Sequence, residues 1–269
     1  MKLIEFFGLK VKPRITHGKH MFKPLITSRL SNHLYAIKDK DVNCFLIEYN
    51  DGYIAIDSGY KNSKNMRLGL DKLGINPDLV KHVFLTHLDI DHAGGMDINQ
   101  DVIFKNAKIY LSKKEYGYIT KESCRKKILG IKLKMPINLS NNLTFVSDEQ
   151  DIMIGNITIH CVFAPGHSVG HTCYILENIL FIGDALISDG NVGWCFYDFW
   201  NMDTTLNKKT LIHLEDVCKQ MNIKTVITSH SGMLEESRAF VNKFICPKWK
   251  KKGFCFIPDA PIDPYADEA

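Results

Sequence analysis

The apolar run His82-Val83-Phe84-Leu85-Thr86 leads straight into His87-Leu88-Asp89-Ile90-Asp91-His92 and then Ala93-Gly94-Gly95. Such a run reads as a buried strand that ends in a polar turn. Imidazole and carboxylate are ligands for zinc, iron and manganese, and a strand-to-helix turn can aim several of them at one point. The alternative is a polar loop in which Asp91 accepts backbone amides at the start of a following helix. The metal reading constrains the fold more, because ligands must converge in space.

The chain has 269 residues and is 45% hydrophobic, enough for one large α/β domain or two small ones. A formal charge of +4 gives little direction. The positive residues gather at 113–134 and 248–252, and such runs are usually solvated faces. Cysteines stand at 44, 124, 161, 173, 195, 218, 246 and 255, without a C-x-x-C pair and several inside apolar runs. They read as small buried hydrophobes in a reducing compartment. Glu5 interrupts the first apolar stretch, and no segment approaches transmembrane length, so a soluble cytoplasmic protein without a signal peptide is the expectation. His17 and His20 lack companion ligands and read as solvent-facing.

Strand-like patterns cover 34–37, 43–49 and 53–57, with Asn50-Asp51-Gly52 as a hairpin turn. Apolar residues at 66, 70 and 73 before Gly74 predict a helix over 64–73. Further strands are predicted at 109–111, 143–146, 157–163, 172–176, 179–182 and 224–229. A partly helical basic stretch runs to about 134, and a long helix carries Leu206, Thr210, Leu214, Val217, Cys218 and Met221 on one stripe. This alternation predicts an α/β or α+β domain over 1–245, with 1–33 as a lead-in and 246–269 as a tail.

Three further predicted strand ends carry a metal-competent residue: His167 after Ala164-Pro165-Gly166, Asp184 after Gly183, and His230 after Ser229. With His87, Asp89, Asp91 and His92 this makes seven candidate ligands. Seven are too many for one zinc and suit two metals that share a carboxylate.

The order of His87–His92, Pro165-Gly166-His167, Gly183-Asp184 and Ser229-His230, with the early Asp57-Ser58-Gly59, resembles the metallo-β-lactamase superfamily over roughly 34–240. Within that superfamily it is similar to the N-acyl homoserine lactonase-like branch. The resemblance implies an αβ/βα four-layer sandwich of two mixed sheets flanked by helices, with metals at one edge. It implies a first metal on His87, Asp89 and His167, and a second on Asp91, His92 and His230, bridged by Asp184. It further implies a metal-bridging hydroxide that attacks the substrate, with Asp91 and Asp184 orienting it.

Two positions depart from the family pattern. Asp89 stands where most members carry a second histidine; as a ligand it makes the site less positive, so iron or manganese competes with zinc. As a non-ligand it would only support the first metal from outside. Ile187 stands where homoserine lactonases carry a tyrosine, leaving Tyr197 or the metal itself to deal with the leaving alkoxide. The segment Trp194 to Trp200 is rich in aromatics and reads either as an apolar acyl pocket or as ordinary core or a homodimer contact. Lys121, Arg125, Lys126 and Lys127 either draw anionic substrates or form a solvated face. His171 reads as a supporting residue, because the ligand set is already complete.

These features predict a hydrolase that opens a small-molecule lactone, carboxylic ester or thioester. The alternatives are a phosphodiesterase acting on an anionic substrate, with nucleic acid an improbable partner, and a non-hydrolytic di-iron redox or metal-sensing protein. If Asp89 coordinates, Asp89→His raises the charge of the site and shifts its preference toward zinc. Metal analysis of the variant against the parent checks this, and an unchanged metal profile would show that Asp89 is not a ligand.

Overall fold

Side-chain alternation along the strands decides the layers. In the computed structural model, which describes residue 6 and residues 22–50, 52–125 and 136–247, strand β3 (Val42–Tyr49) turns Cys44 and Leu46 to one side and Phe45 and Ile47 to the other. This is the two-residue period of a strand buried on both faces. The first sheet runs in the order β1 (Ser28–Arg29), β2 (Leu34–Asp39), β3, β4 (Gly52–Ile56), β5 (Val80–Phe84), β6 (Lys108–Ser112), β7 (Leu143–Val146). Its first four strands pair antiparallel and its last four parallel.

The second sheet contains β8 (Gln150–Ile154), β9 (Ile157–Phe163), β10 (Thr172–Leu176), β11 (Ile179–Gly183), β14 (Thr225–Thr228) and β15 (Gly232–Glu235). A separate hairpin joins β12 (Leu186–Ser188) to β13 (Gly193–Cys195). Phe45, Ile47, Ile56 and Phe84 of the first sheet pack against Ile159, Tyr174, Leu176 and Phe181 of the second, forming the central core. On the outer face of the first sheet lies α1 (Lys64–Leu73), which buries Met66 and Leu70, and α2 (Lys113–Thr120), which buries Tyr118. Outside the second lies α3 (Thr204–Gln220), with Leu211, Leu214, Val217 and Cys218 against Cys173, Ile175, Leu180 and Ile182. The result is the predicted four-layer α/β/β/α sandwich. A short α4 (Glu236–Ala239) follows β15.

Local signals placed the predicted helices well. Ser63 caps α1 by accepting from Met66 N, and Gly74 ends it in the left-handed region at φ 68°. The α3 stripe is narrower than predicted: Leu206 and Met221 lie at its ends and are 38% and 39% exposed. The strands β1, β8, β12, β13 and β15 escaped the sequence pattern because each is short or at an edge, where pairing with a neighbour rather than hydrophobic periodicity defines it. The expected helix after His92 is absent. Only a 3₁₀ turn, Gly94–Met96, follows, and no side chain caps it, so Asp91 is not a helix cap. Gly94 and Gly95 are needed there because a Cβ on either would sit 2.3 Å from Lys61 N or Ser58 O.

Strand direction gathers the site. β11 and β14 are parallel, and β9 runs the same way as β11 because both are antiparallel to β10. The segments leaving β9, β11 and β14 therefore emerge at one edge, carrying His167, Asp184 and His230. The first sheet meets that edge through Thr172 N donating to Thr86 O at 2.9 Å, Asn43 N to Ser229 O at 2.8 Å and the Tyr174 hydroxyl to Leu85 O at 2.7 Å.

One buried carboxylate ties the two key loops together. Glu115 accepts from Leu88 N at 2.9 Å, from Gly170 N at 3.1 Å and from the Ser168 hydroxyl at 2.7 Å. Burial raises its pKa despite these contacts. Glu115→Ala leaves two buried amides without an acceptor, and a loss of about 2–5 kcal/mol is expected from equilibrium denaturation. A loss within 0.5 kcal/mol would show that the loops hold without it.

Candidate metal centre

Each of four imidazoles is anchored at Nδ1. His92 Nδ1 donates to Asp57 Oδ2 at 2.8 Å, and His87 Nδ1 to the Thr86 hydroxyl at 3.0 Å, which itself donates to Asp57. His167 Nδ1 donates to Asn201 Oδ1 at 3.2 Å, and His230 Nδ1 to the Asp41 carbonyl. Asp57 adopts φ 61°, which turns the chain sharply at the end of β4. Anchoring Nδ1 fixes the tautomer and leaves Nε2 with its lone pair pointing inward.

The Nε2 atoms converge on carboxylate oxygens. His92 and His230 Nε2 lie 3.4 and 3.3 Å from Asp184 Oδ2, and 3.4 and 3.3 Å from Asp91 Oδ2. On the other side, Asp89 Oδ2 lies 3.5 Å from His87 Nε2 and 3.4 Å from His167 Nε2. Asp184 Oδ2 faces that pair too, at 4.0 and 3.7 Å. Ligands placed tetrahedrally at about 2.1 Å from a zinc ion stand about 3.4 Å apart, the spacing of both sets.

The chemistry of the donors also fits. Nε2 of His87 and of His92 and Oδ1 of Asp184 are buried without a hydrogen-bond partner, a costly state that a cation relieves. Three groups, His87/His92/Asp184, His87/Asp89/His167 and Asp91/His92/His230, each have ligand atoms within 4.8 Å of one another. Two adjacent triads linked in this way make a binuclear centre for divalent ions.

Electrostatics separate the two halves. Burial opposes charge on His92, but Asp184, Asp91 and Asp57 outweigh it and push its pKa well above the ordinary imidazole value. The same field attracts a divalent ion, and binding one displaces that proton. His167 moves the other way, down to about 4, through burial with Arg125 and His87 adding to it. Burial would raise Asp89, yet the Arg125 charge and the contacts to His167 and His87 hold it well below the usual carboxylate range.

Arg125 was expected on a substrate-attracting or solvated basic face, and the structure places it otherwise. Its Nη2 donates to Asp89 Oδ2 at 2.7 Å and lies 3.3 Å from His167 Nε2, while Nη1 donates to the His167 carbonyl. Its charge offsets that of Asp89, which removes the basis for expecting a harder ion than zinc from charge alone. Lys126 and Lys127 lie outside the described residues, as do His17 and His20.

The aromatic segment is packed. Trp194, Phe196 and Tyr197 are buried together with Phe22 and Ile187, and of the segment's aromatic residues only Phe199 is largely exposed. Phe196 meets His167 edge-on at 4.9 Å, and Phe22, from the predicted lead-in, stacks on His230 at 4.1 Å. Burial pushes the Tyr197 phenol upward. His171 supports the site: its Nε2 accepts from Asp184 N at 3.1 Å. Thr86, Asn201 and the Asp41 carbonyl carried no sequence signal, because Nδ1 can donate to any acceptor that the fold brings near, and Phe22 carried none because its stacking on His230 depends on tertiary contact alone.

Comparisons with known proteins agree with this geometry. The chain is 31% identical over 149 residues to the probable polyketide biosynthesis zinc-dependent hydrolase PksB of Bacillus subtilis, covering 55% of this chain and 56% of that protein. It is 26% identical over 226 residues to a probable metallo-hydrolase of Methanocaldococcus jannaschii, covering 84% and 94%. It is 29% identical over 137 residues to a hydroxyacylglutathione hydrolase of Buchnera aphidicola, covering 51% and 44%. The chain thus spans only about half the length of the first and third of these relatives. Its fold is similar to that of BJP-1, a subclass B3 metallo-beta-lactamase of Bradyrhizobium japonicum, with a TM-score of 0.59, 19% identity and coverage of 79% and 80%. The profile of the metallo-beta-lactamase superfamily matches residues 37–230, most of the chain. With two linked His/Asp triads at the shared edge of its sheets and a profile match over most of its length, the chain belongs to the metallo-beta-lactamase superfamily and has a binuclear centre for divalent ions.

Proposed function

We propose that the protein hydrolyses a small-molecule lactone, carboxylic ester or thioester at this centre. The observation that carries the reading is Asp184 Oδ2, one buried oxygen that faces all four imidazoles at 3.3 to 4.0 Å. His87, Asp89 and His167 would hold one divalent ion and Asp91, His92 and His230 the other, with Asp184 between them. Bound there, two such ions supply an acidified water and Lewis acidity toward a carbonyl oxygen.

The chain's own residues do the rest. Asp91 and Asp184 orient the attacking water. Phe22 and Phe196 keep bulk water from His230 and His167, which strengthens every charge interaction at the site. Asp89 is the ligand-set member that reaches solvent, its side chain 20% exposed, so substrate enters on that side. Tyr197, beside Phe196 and Phe22 and kept protonated by its burial, delivers the proton to the leaving alkoxide.

The motif order that resembles the N-acyl homoserine lactonase-like branch supports lactones among the substrates. Ile187, buried in β12, offers no hydroxyl at the position where that branch carries tyrosine, which argues for a lactone other than homoserine lactone or for an open-chain ester. Relatives named as a hydroxyacylglutathione hydrolase and a polyketide biosynthesis hydrolase support attack at an acyl carbonyl. Every cysteine among the described residues is free, and no described helix is long and apolar enough to cross a membrane, which supports work on a dissolved substrate in a reducing compartment.

Two measurements test the reading. Purified protein should carry close to two divalent ions per chain and hydrolyse members of a lactone, ester and thioester panel, activity that chelation removes and metal restores. Less than one ion per chain with no hydrolysis after reconstitution would overturn it. Tyr197→Phe should lower kcat by about 100-fold on alkyl lactones and alkyl esters, within the range for loss of a general acid, and little on esters with activated aryl leaving groups. An equal loss on both classes would remove Tyr197 from that role.

A further inference from the structure

We infer that Arg125 is a built-in counter-cation that makes the His87/Asp89/His167 position the weaker of the two metal positions, so that the Asp91/His92/His230 position loads first. This rests on the two-metal reading above and adds to it an order of loading set by one residue outside the ligand set.

Arg125 uses the same oxygen that the first triad would offer an ion. Its Nη2 is 2.7 Å from Asp89 Oδ2, the atom that also faces His87 and His167, and an N–H of the same nitrogen points at His167 Nε2 from 3.3 Å. Two backbone carbonyls hold the guanidinium in place: His167 O accepts from Nη1, and Trp200 O accepts from Nη2 at 3.4 Å. With a side chain only 13% exposed, it has little water to screen its charge.

The two triads therefore prepare differently for a cation. In the second, Asp91 Oδ2 and Asp184 Oδ2 each lie 3.3 to 3.4 Å from the Nε2 atoms of His92 and His230, so carboxylate oxygens face the incoming ion. In the first, the surplus charge belongs to a guanidinium, which does not deprotonate in proteins. It must stay beside the incoming ion or give up its buried contacts, and both weaken binding.

The test is a titration of the full-length apo-protein with Zn²⁺ and with Co²⁺ against a chelating indicator, fitted for two equivalents, with Co²⁺ absorption reporting the coordination of each. Wild type should bind one equivalent tightly and the second more weakly. Arg125→Met and Arg125→Gln should tighten the second equivalent by about 10–100-fold, the range over which groups outside the ligand shell move metal affinity, and leave the first unchanged. The Gln variant keeps a hydrogen bond to Asp89 without the charge, and it decides the matter if the Met variant does not fold. Two equivalents of equal affinity in wild type, or a second equivalent that is unchanged or weaker in Arg125→Gln, would overturn this inference and leave the two-metal reading standing. Failure of every form to bind metal would overturn both.

Discussion

Four imidazoles locked at Nδ1 are the constraint on which the site depends. A free histidine on a loop would sample several rotamers and two tautomers, and four of them would rarely aim at one point. Asp57, Thr86, Asn201 and the Asp41 carbonyl remove that freedom. Asp57 serves two imidazoles, directly for His92 and through Thr86 for His87. The left-handed turn at this residue is thus part of the metal centre rather than a detail of the strand end.

The sandwich exists to bring those anchors together. Neither sheet holds enough ligands: the first contributes the 87–92 segment, the second His167, Asp184 and His230. The central core of aromatic and branched side chains fixes the distance between the sheets, and hydrogen bonds such as Thr172 N to Thr86 O fix their relative position at the ligand edge. Glu115 adds a buried brace between the loops that carry the first-position ligands. Packing, backbone pairing and a satisfied internal carboxylate thus reinforce one arrangement.

Electrostatics give the two halves of the centre different characters. Around His92 and His230 the carboxylates of Asp91 and Asp184 make the field negative. Around Asp89 the balancing charge is the Arg125 guanidinium, so a residue that looks from its own chemistry like an added anion belongs to a pair with no net charge. The same exchange of partners shows why counting ligand charges along a sequence misjudges a site whose neighbours come from elsewhere.

Much of this was legible in the chain itself. Apolar runs that end in His, Asp or Pro-Gly-His located the strands and their ligand-bearing ends, because side-chain period and turn chemistry are local properties. The end of α1 was readable for the same reason, from Gly74. Three-dimensional contact alone decided that Arg125 folds inward onto Asp89, that Phe22 from the lead-in covers His230, and that the aromatic segment is wall rather than open pocket. Those outcomes depend on partners 36 to 208 residues apart in sequence. No local pattern encodes such pairings; they follow only once the two sheets have closed on each other.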